Sequence, residues 1–362
     1  MLIALLRLYT FKLLGMGLKA VRLLVKASVV VFSFVVLAFS IAAMLSSNTD
    51  PNLNVNSAFI GLALPMILLI ALVLVVFLIF RKSFWFIIPL IAIAVNYQYV
   101  SSMIQINVFT KHDTAANKSS VKAATYNVHG FRHIRNDISV NYIANYMSGE
   151  NVSILCMQEF SSHSLFNLNE VAGAFDFLPY STLIDNSSPK AGLVIFSLYP
   201  IKSIGMLEIE SLSNGVLWAD IELPDGLMVR VINAHLQTTG ISRYYNLGFR
   251  KNIKIMGDNL KLRARHANIL NAFIDSSKTP VILCGDFNDT PSSYTYKKAK
   301  GNLIDGFRDA GSGLGSTFMH KSSMLRIDYI MYSSHLKGVR YYSDTKKWSD
   351  HNPIVAELEY RN

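Results

Sequence analysis

Several apolar runs in the second half of this 362-residue chain end on carboxylate, imidazole or amide side chains. Residues 280–291 read Pro-Val-Ile-Leu-Cys-Gly-Asp-Phe-Asn-Asp-Thr-Pro. A buried strand that breaks at glycine puts Asp286 and Asn288, two residues apart, on one side of the extended chain. Ser349-Asp-His-Asn-Pro353 sets Asp350 beside His351 just before the last apolar run. The run Val152–Met157 ends at Gln158-Glu159, Val121–Tyr126 ends at Asn127-Val-His-Gly130, and His235 stands in Val-Ile-Asn-Ala-His-Leu. Taken singly, each has a plain structural reading: Asn127 as a turn residue, Glu159 as a solvated strand end, His235 as a satisfied core histidine. Taken together they are strand ends drawn from distant parts of the chain, where loops on a rigid scaffold carry chemistry.

In chain order, Thr125-Tyr-Asn-Val-His-Gly130, Met157-Gln-Glu159, Asn233-Ala-His-Leu236, Gly285-Asp-Phe-Asn288, Arg326-Ile-Asp328 and Ser349-Asp-His351 resemble the endonuclease/exonuclease/phosphatase superfamily. That group includes pancreatic-type deoxyribonucleases, abasic-site endonucleases, neutral sphingomyelinases and inositol-phosphate phosphatases. The resemblance covers about residues 120–360 and implies a four-layer αββα sandwich with its site at one edge of the paired sheets. It also assigns Asp328 to orient His351, His235 to contact phosphate and protonate the leaving group, and His129 to touch substrate. Thr317, Arg263 and Arg265 are further expected substrate contacts. One departure stands out: Leu198, in Gly192–Ile201, occupies a place where the family commonly has a basic residue. Read from sequence, this weakens the case for polyanionic DNA as substrate.

The residue types also suit phosphate-ester hydrolysis on chemical grounds. The substrate is anionic and repels an attacking water, so catalysis rests on positioning and electrostatic stabilisation. Glu159 is a hard oxygen ligand of the kind Mg²⁺ takes, with Asn127 and Asp350 completing that side and Mn²⁺ as a substitute. Asp286 orients and deprotonates water, Asn288 pins the nucleophile or a phosphoryl oxygen, and a His351 imidazolium stabilises the transition state.

Positioning these groups needs many strands and few helices. Strand-like runs recur at Gly192–Ser197, Val216–Glu222, Met228–His235, Ile327–Tyr332 and Ile354–Leu358. Helical spacing appears at Ile138–Met147 and Ile255–Phe273. This pattern predicts an α/β (α+β) domain over residues 121–362, with two packed sheets and helices outside. The two cysteines, Cys156 and Cys284, lie in apolar runs and read as inert core thiols rather than a disulfide framework.

The first 110 residues differ in kind. Hydrophobic residues make up 51% of the chain and mean hydropathy is +0.31; residues 27–49, 51–80 and 83–110 carry no charge. The spacing predicts an amphipathic helix over about 1–26, crossings at about 27–46, 58–80 and 83–103, and a linker at 111–120. A cleaved signal peptide competes with this reading, but the apolar region is long and a second span follows at once. Seven Lys/Arg and one Asp lie in residues 1–110, against 27 basic and 23 acidic residues in 111–362. The basic excess therefore sits beside the membrane spans. Five basic residues precede the first crossing, Arg81-Lys82 follow the second, and the loop 46–57 has none. With three crossings, that asymmetry puts the globular domain on the extracytoplasmic face of a bacterial-type plasma membrane.

The stretch Arg243–Arg265 carries seven basic residues against Asp258, with Tyr244, Tyr245 and Phe249 interleaved. It reads as a solvated helix face, or as a dock for lipid headgroups or a nucleic-acid backbone. Three functions are consistent with the sequence: hydrolysis of a lipid or lipid-linked phosphoester, cleavage of extracellular nucleic acid or nucleotides, and a silent membrane-tethered binding module. The complete set of site residues favours an enzyme.

Overall fold

The computed structural model describes residues 2–106, 120–132, 137–161, 167–183, 190–211, 213–240, 248–320 and 323–360. The expected linker 111–120 falls outside them apart from Ser120, as do Arg243, Tyr244 and Tyr245. The chain divides into two compact units, Met1–Leu45 with Phe59–Gln98, and Ser46–Ala58 with Tyr99–Asn362.

In the first unit, one continuous helix, Leu2–Ser46, covers both the expected amphipathic helix and the first crossing. Its stretch Lys19–Ser46 is 28 residues long and apolar enough to span a bilayer. Three crossings were expected; among the described residues this one helix is long and apolar enough by itself, and the other two candidates are bent helix pairs, each a broken span or a re-entrant loop. Val55–Leu62 and Leu64–Phe80 meet at a 46° bend, and Phe84–Ala94 and Tyr97–Met103 meet at 67°. The first break falls at Ala63, two residues before Pro65, whose ring in the first turn of the next helix removes a backbone donor. Beside the second break, Asn96 is buried and donates to Ser40 Oγ at 2.7 Å and Ala92 O at 3.0 Å. A buried amide needs such partners.

In the second unit, two six-stranded sheets lie among the described residues. The first runs in the order Leu336–Ser343, Ile354–Tyr360, Ser120–Asn127, Ile154–Gln158, Val194–Ser197, Tyr180–Ser181. The second runs Ile304–Asp305, Asp328–Tyr332, Val281–Asp286, Met228–His235, Gly215–Glu222, Ile201–Leu207. Each contains one parallel pair, Ser120–Asn127 with Ile154–Gln158 and Met228–His235 with Val281–Asp286.

The period-two alternation of strands decides what lies between the sheets. Ile154, Cys156, Ile195, Ala219, Val231, Cys284 and Ile330 face the interior shared by both. Leu155, Met157 and Phe196 face the other way, onto Ile143 and Met147 of helix Asp137–Gly149 and Val171 of helix Leu168–Gly173. On the far side, Ile232, Leu283 and Tyr329 pack on Leu270 and Ile274 of helix Phe249–Asp275 and on Tyr296 of helix Tyr294–Lys300. The result is the expected αββα order of layers. Both cysteines are free and buried between the sheets, where burial, together with the neighbouring Cys284 thiol, pushes the Cys156 thiol far up and keeps it protonated.

The two longest strands that escape the sequence reading are Ile201–Leu207 and Leu336–Ser343. Both are sheet edges with partly exposed side chains, so neither carries a clean apolar signal.

Candidate active site

Register brings the chemistry to one edge. In the second sheet His235 lies level with Asp286, and Asp286 with Asp328, on three adjacent strands. In the first sheet Asn127 lies level with Gln158, so Glu159 emerges beside it. Gly285 permits this alignment: a Cβ there would sit 1.9 Å from Ala234 O on the neighbouring strand.

The backbone is strained where the strands end. Glu159, Asn288 and His129 all have positive φ, at 54°, 53° and 47°. Such conformations persist only where the surroundings enforce them, and they cluster at working sites. Around Glu159, Gly130 N donates to Glu159 O at 3.0 Å and Phe160 N to Gly192 O at 2.9 Å. Asn288 N donates to Asp286 Oδ1 at 2.7 Å, an Asx turn that locks the carboxylate to the chain following it.

His351 Nδ1 lies 2.9 Å from Asp328 Oδ2, and its Nε2 lies 3.8 Å from Asp286 Oδ2. Burial opposes charge on this ring, but the Asp328 and Asp286 carboxylates outweigh it and lift the imidazole to about 10. A shift in that direction favours the imidazolium at neutral pH. Burial and the Asp328 charge push Asp286 up to about 6, partly offset by His351 and His235. A carboxylate so raised is a stronger base than an ordinary aspartate, yet still ionised at pH 7.

Glu159 stands at the rim, its side chain 41% exposed and its Oε1 3.8 Å from His235 Nε2. Asn127 Nδ2 donates to Glu159 Oε1 at 3.2 Å and to Asp286 Oδ2 at 3.1 Å. Its Oδ1 accepts from His129 N at 3.1 Å. Asn127, expected as an oxygen ligand to metal, thus turns its nitrogen to the carboxylates and uses its oxygen to shape the His129 turn. Asp350 pairs through Oδ1 with His129 Nδ1 at 3.0 Å. Its carboxyl is held down at about 2; burial resists this, but the His129 hydrogen bond and the His351 charge prevail.

Three expected substrate contacts do other work. Arg263 is fully buried and cannot reach a ligand. Its Nη1 donates to Gln237 O at 2.9 Å and Asn288 O at 2.5 Å, and its Nε lies 3.1 Å from Asp289 Oδ2. It ties down the two loops flanking Asp286. Thr317 is buried too: its Oγ1 accepts from Asp328 N and Ile327 N, each at 3.1 Å. Arg265 is exposed, but its Nη2 is 2.9 Å from Glu210 Oε2 and its Nη1 is 3.1 Å from Asn52 Oδ1.

Leu198 lies at the other end of the strands. Its neighbour Ser197 pairs with Ile154, and Leu198 N bonds Ser153 O at 2.8 Å, a strand's length from Glu159. A missing cation there says nothing about the site, so the argument against DNA drawn from Leu198 falls.

Sequence reasoning left Gln158 and Asn233 without roles. Both are buried: Gln158 Nε2 donates to Asn233 Oδ1 at 2.7 Å and Thr125 Oγ1 at 2.9 Å, and Asn233 Nδ2 donates to Met157 O and Val194 O. These bonds stitch the two sheets together beneath Glu159 and His235. The signal was available: Asn233 is two residues before His235 on one strand face, amid apolar neighbours, and a buried amide there needs partners.

Among the described residues, Asp286, Asp328 and His351 offer atoms within 4.8 Å of one another. His351 Nδ1 is already committed to Asp328, so this trio reads as base and acid rather than as a cation cage. The rim suits a hard divalent cation better. Glu159 and Asp350 are carboxylates with part of their surface open, beside Asp286, and no thiolate is present.

Paired sheets flanked by helices, with an acidic edge and an Asp–His pair, define an αββα phosphoester-hydrolase type of domain. The sequence pattern of the Endonuclease/Exonuclease/phosphatase family matches residues 124–351, and the chain belongs to that family. Residues 25–103 match a domain of unknown function, DUF8431. No curated protein matches the chain. Among solved structures, it is similar to an endonuclease/exonuclease/phosphatase family protein from Bacteroides thetaiotaomicron, with 19% identity over 67% of this chain and 99% of that one, TM-score 0.50. It is also similar to a mannosyl-6-phosphatase of the same organism (18%, 66% and 100%, 0.46). A third is truncated TDP2 from Caenorhabditis elegans (16%, 66% and 97%, 0.49). At 19% identity the likeness to the first of these shows the fold alone.

Proposed function

We propose that the chain is a membrane-anchored, divalent-cation-dependent phosphoesterase that hydrolyses a phosphodiester or phosphomonoester by attack of water. The observation that carries this reading is the alignment of a raised Asp286 carboxylate with the buried Asp328–His351 pair, beside a carboxylate rim.

Asp286 takes the proton from water, while the turn at Asn288 holds that carboxylate in place. His351 keeps its Nδ1 proton toward Asp328 and presents Nε2–H to a phosphoryl oxygen as charge builds in the transition state. His235, whose Nε2 lies 3.8 Å from Glu159 and 3.9 Å from Asp286, would protonate the leaving oxygen. A cation held by Glu159 and Asp350, with Mg²⁺ or Mn²⁺ the natural choices, would supply Lewis-acid polarisation of a phosphoryl oxygen.

The loop Ser46–Ala58 belongs to the same compact unit as these residues. It follows the helix apolar enough to cross a bilayer and holds no Lys or Arg, whereas the five N-terminal basic residues lie in the N-terminal part of helix Leu2–Ser46 and Arg81-Lys82 follow helix Leu64–Phe80. The positive-inside asymmetry therefore favours an extracytoplasmic active site. With Arg263 buried and Arg265 paired to Glu210, the basic helix loses part of its appeal as a nucleic-acid track. A lipid or lipid-linked headgroup, delivered in two dimensions to an anchored enzyme, is the preferred substrate class.

The test is a hydrolysis panel on the full-length chain in lipid nanodiscs, with Mg²⁺, Mn²⁺ or excess EDTA. It offers phospholipid, sphingolipid, inositol phosphate, nucleotide, RNA and duplex DNA. Activity on a phosphoester that vanishes with EDTA, and with Asp286→Ala or His351→Ala, is expected. Activity that survives any of the three overturns the mechanism, and cleavage confined to nucleic acid overturns the substrate class.

A further inference from the structure

The end of the last apolar stretch is built into the catalytic unit, since Tyr99–Gln105 belongs to it. Ile104 and Gln105 pair with Leu314 and Gly313 in a short antiparallel ladder. Gly315 N donates to Met103 O at 2.9 Å, and Arg326 Nη1 donates to Ser102 O at 2.9 Å. The family match begins only at residue 124, so the Tyr99–Gln105 side of these contacts lies outside the matched residues.

From this segment two short routes reach the Asp328–His351 pair. Along the first, Gly315 leads to Thr317, which holds the amide of Asp328 on its Oγ1 and the amide of Asn352 on its carbonyl at 2.6 Å. The next residue, Phe318, lays its ring edge-on to His351 with centroids 4.9 Å apart. Along the second, Arg326 stands two residues before Asp328 and is wholly buried. Its guanidinium pairs with Asp305 Oδ2 at 2.8 Å and lies over the rings of Phe307 and Tyr329 at 4.9 and 4.8 Å. A buried guanidinium needs fixed acceptors for its donors, and Ser102 O is one of them.

We propose that Tyr99–Gln105 positions the Asp328–His351 pair, with Arg326 as a positioning residue, so that turnover depends on the end of the apolar segment and not on the sheets alone. The segment reaches the catalytic carboxylate by two routes: through Gly315 toward Thr317, which holds the Asp328 amide, and through Arg326, two residues before Asp328. Misplacement of a catalytic group by about 1 Å costs on the order of a hundredfold in rate, so a loosened grip reads out as kcat rather than as binding.

The experiment uses the full-length chain in detergent micelles with Ile104→Pro, Arg326→Lys and, as a surface control, Leu53→Ala, which is 87% exposed. Proline at 104 removes a backbone donor and disfavours the helical conformation of Met103. Lysine keeps the charge at 326 but cannot serve Asp305 and Ser102 together. One arm follows amide exchange of the peptide holding Ile327 and Asp328 by mass spectrometry. The other follows hydrolysis of bis(p-nitrophenyl) phosphate with Mn²⁺. Both Ile104→Pro and Arg326→Lys are expected to exchange there roughly tenfold faster, and to lose roughly tenfold to a hundredfold in kcat with KM held within about twofold. Leu53→Ala should match wild type. Wild-type exchange in both variants, or wild-type kcat, overturns the proposal. If Ile104→Pro does not melt cooperatively, Arg326→Lys decides alone. The kinetic arm rests on the phosphoesterase reading and the exchange arm does not: no hydrolysis by wild type would sink that reading and leave positioning to be settled by exchange.

Discussion

At the scale of residues, the site is a contest between burial and charge. Burial alone would neutralise both Asp286 and His351; burial and the Asp328 charge raise the aspartate to about 6 against the pull of His351, while the Asp328 and Asp286 carboxylates overcome burial and lift the imidazole to about 10. The base works deprotonated, so rate rises as pH passes upward through its pKa. The imidazolium works protonated, so rate falls as pH passes through about 10. A cation at the rim adds positive charge and moves the acid limb below 6. A profile of kcat/KM against pH should therefore be a broad bell; an alkaline limb near 7 would contradict it. Asp328→Asn removes the carboxylate that holds the imidazolium. It should lower kcat by roughly a hundredfold or more and draw the alkaline limb down toward the ordinary histidine range. An unchanged limb in that variant would show that Asp328 does not set the charge of His351.

At the scale of elements, strands are aligned by features too small to stand out in a sequence. Gly285→Ala would drive a Cβ to 1.9 Å from a backbone carbonyl that cannot yield. A loss of more than about 4 kcal/mol is expected, seen as failure to fold or a collapse in thermal midpoint. Arg263→Met should cost about 3 to 5 kcal/mol, because it strands the buried Asp289 carboxylate and frees the Asn288 loop. Arg265→Ala, on an exposed pair, should stay within about 1 kcal/mol. Thermal melts of the two variants side by side separate these readings; equal losses would mean that Arg263 is no clamp. The sequence put both arginines in one basic run because it shows spacing along a helix, not which side of that helix a layer covers.

At the scale of the whole molecule, the catalytic unit recruits two pieces from the apolar N-terminal third, Ser46–Ala58 and Tyr99–Gln105. Asp50 Oδ2 accepts from Asn268 Nδ2 at 3.1 Å and Asn52 Nδ2 donates to Lys261 O at 3.2 Å. These bonds seat the first loop on the long helix Phe249–Asp275. If that loop faces outward, a cysteine placed at exposed Leu53 should react with an impermeant maleimide in intact cells. One placed at Phe80, before Arg81-Lys82, should react only after lysis. The reverse pattern would put the active site in the cytoplasm.

The sequence alone determined the acidic and imidazole residues of the edge, the paired-sheet class and the apolar character of the first third. These are matters of residue type and periodicity, which survive without three-dimensional information. Glu159, Asp286 and Asn288 were legible because each follows an apolar run that reads as a buried strand, and His351 because it stands just before one. Only the tertiary structure decided that Arg263 and Thr317 hold loops rather than ligand, and that Leu198 lies at the wrong end of its strand. It also decided that Asn127 turns its nitrogen inward and that the apolar third breaks at Ala63 and beside Asn96. Each of these depends on which partner a side chain meets across the fold, and such pairings between distant segments are set by packing and register, not by local spacing. The same holds for Ser102, an unremarkable serine at the end of an apolar stretch until the chain returns and sets a buried guanidinium against its carbonyl.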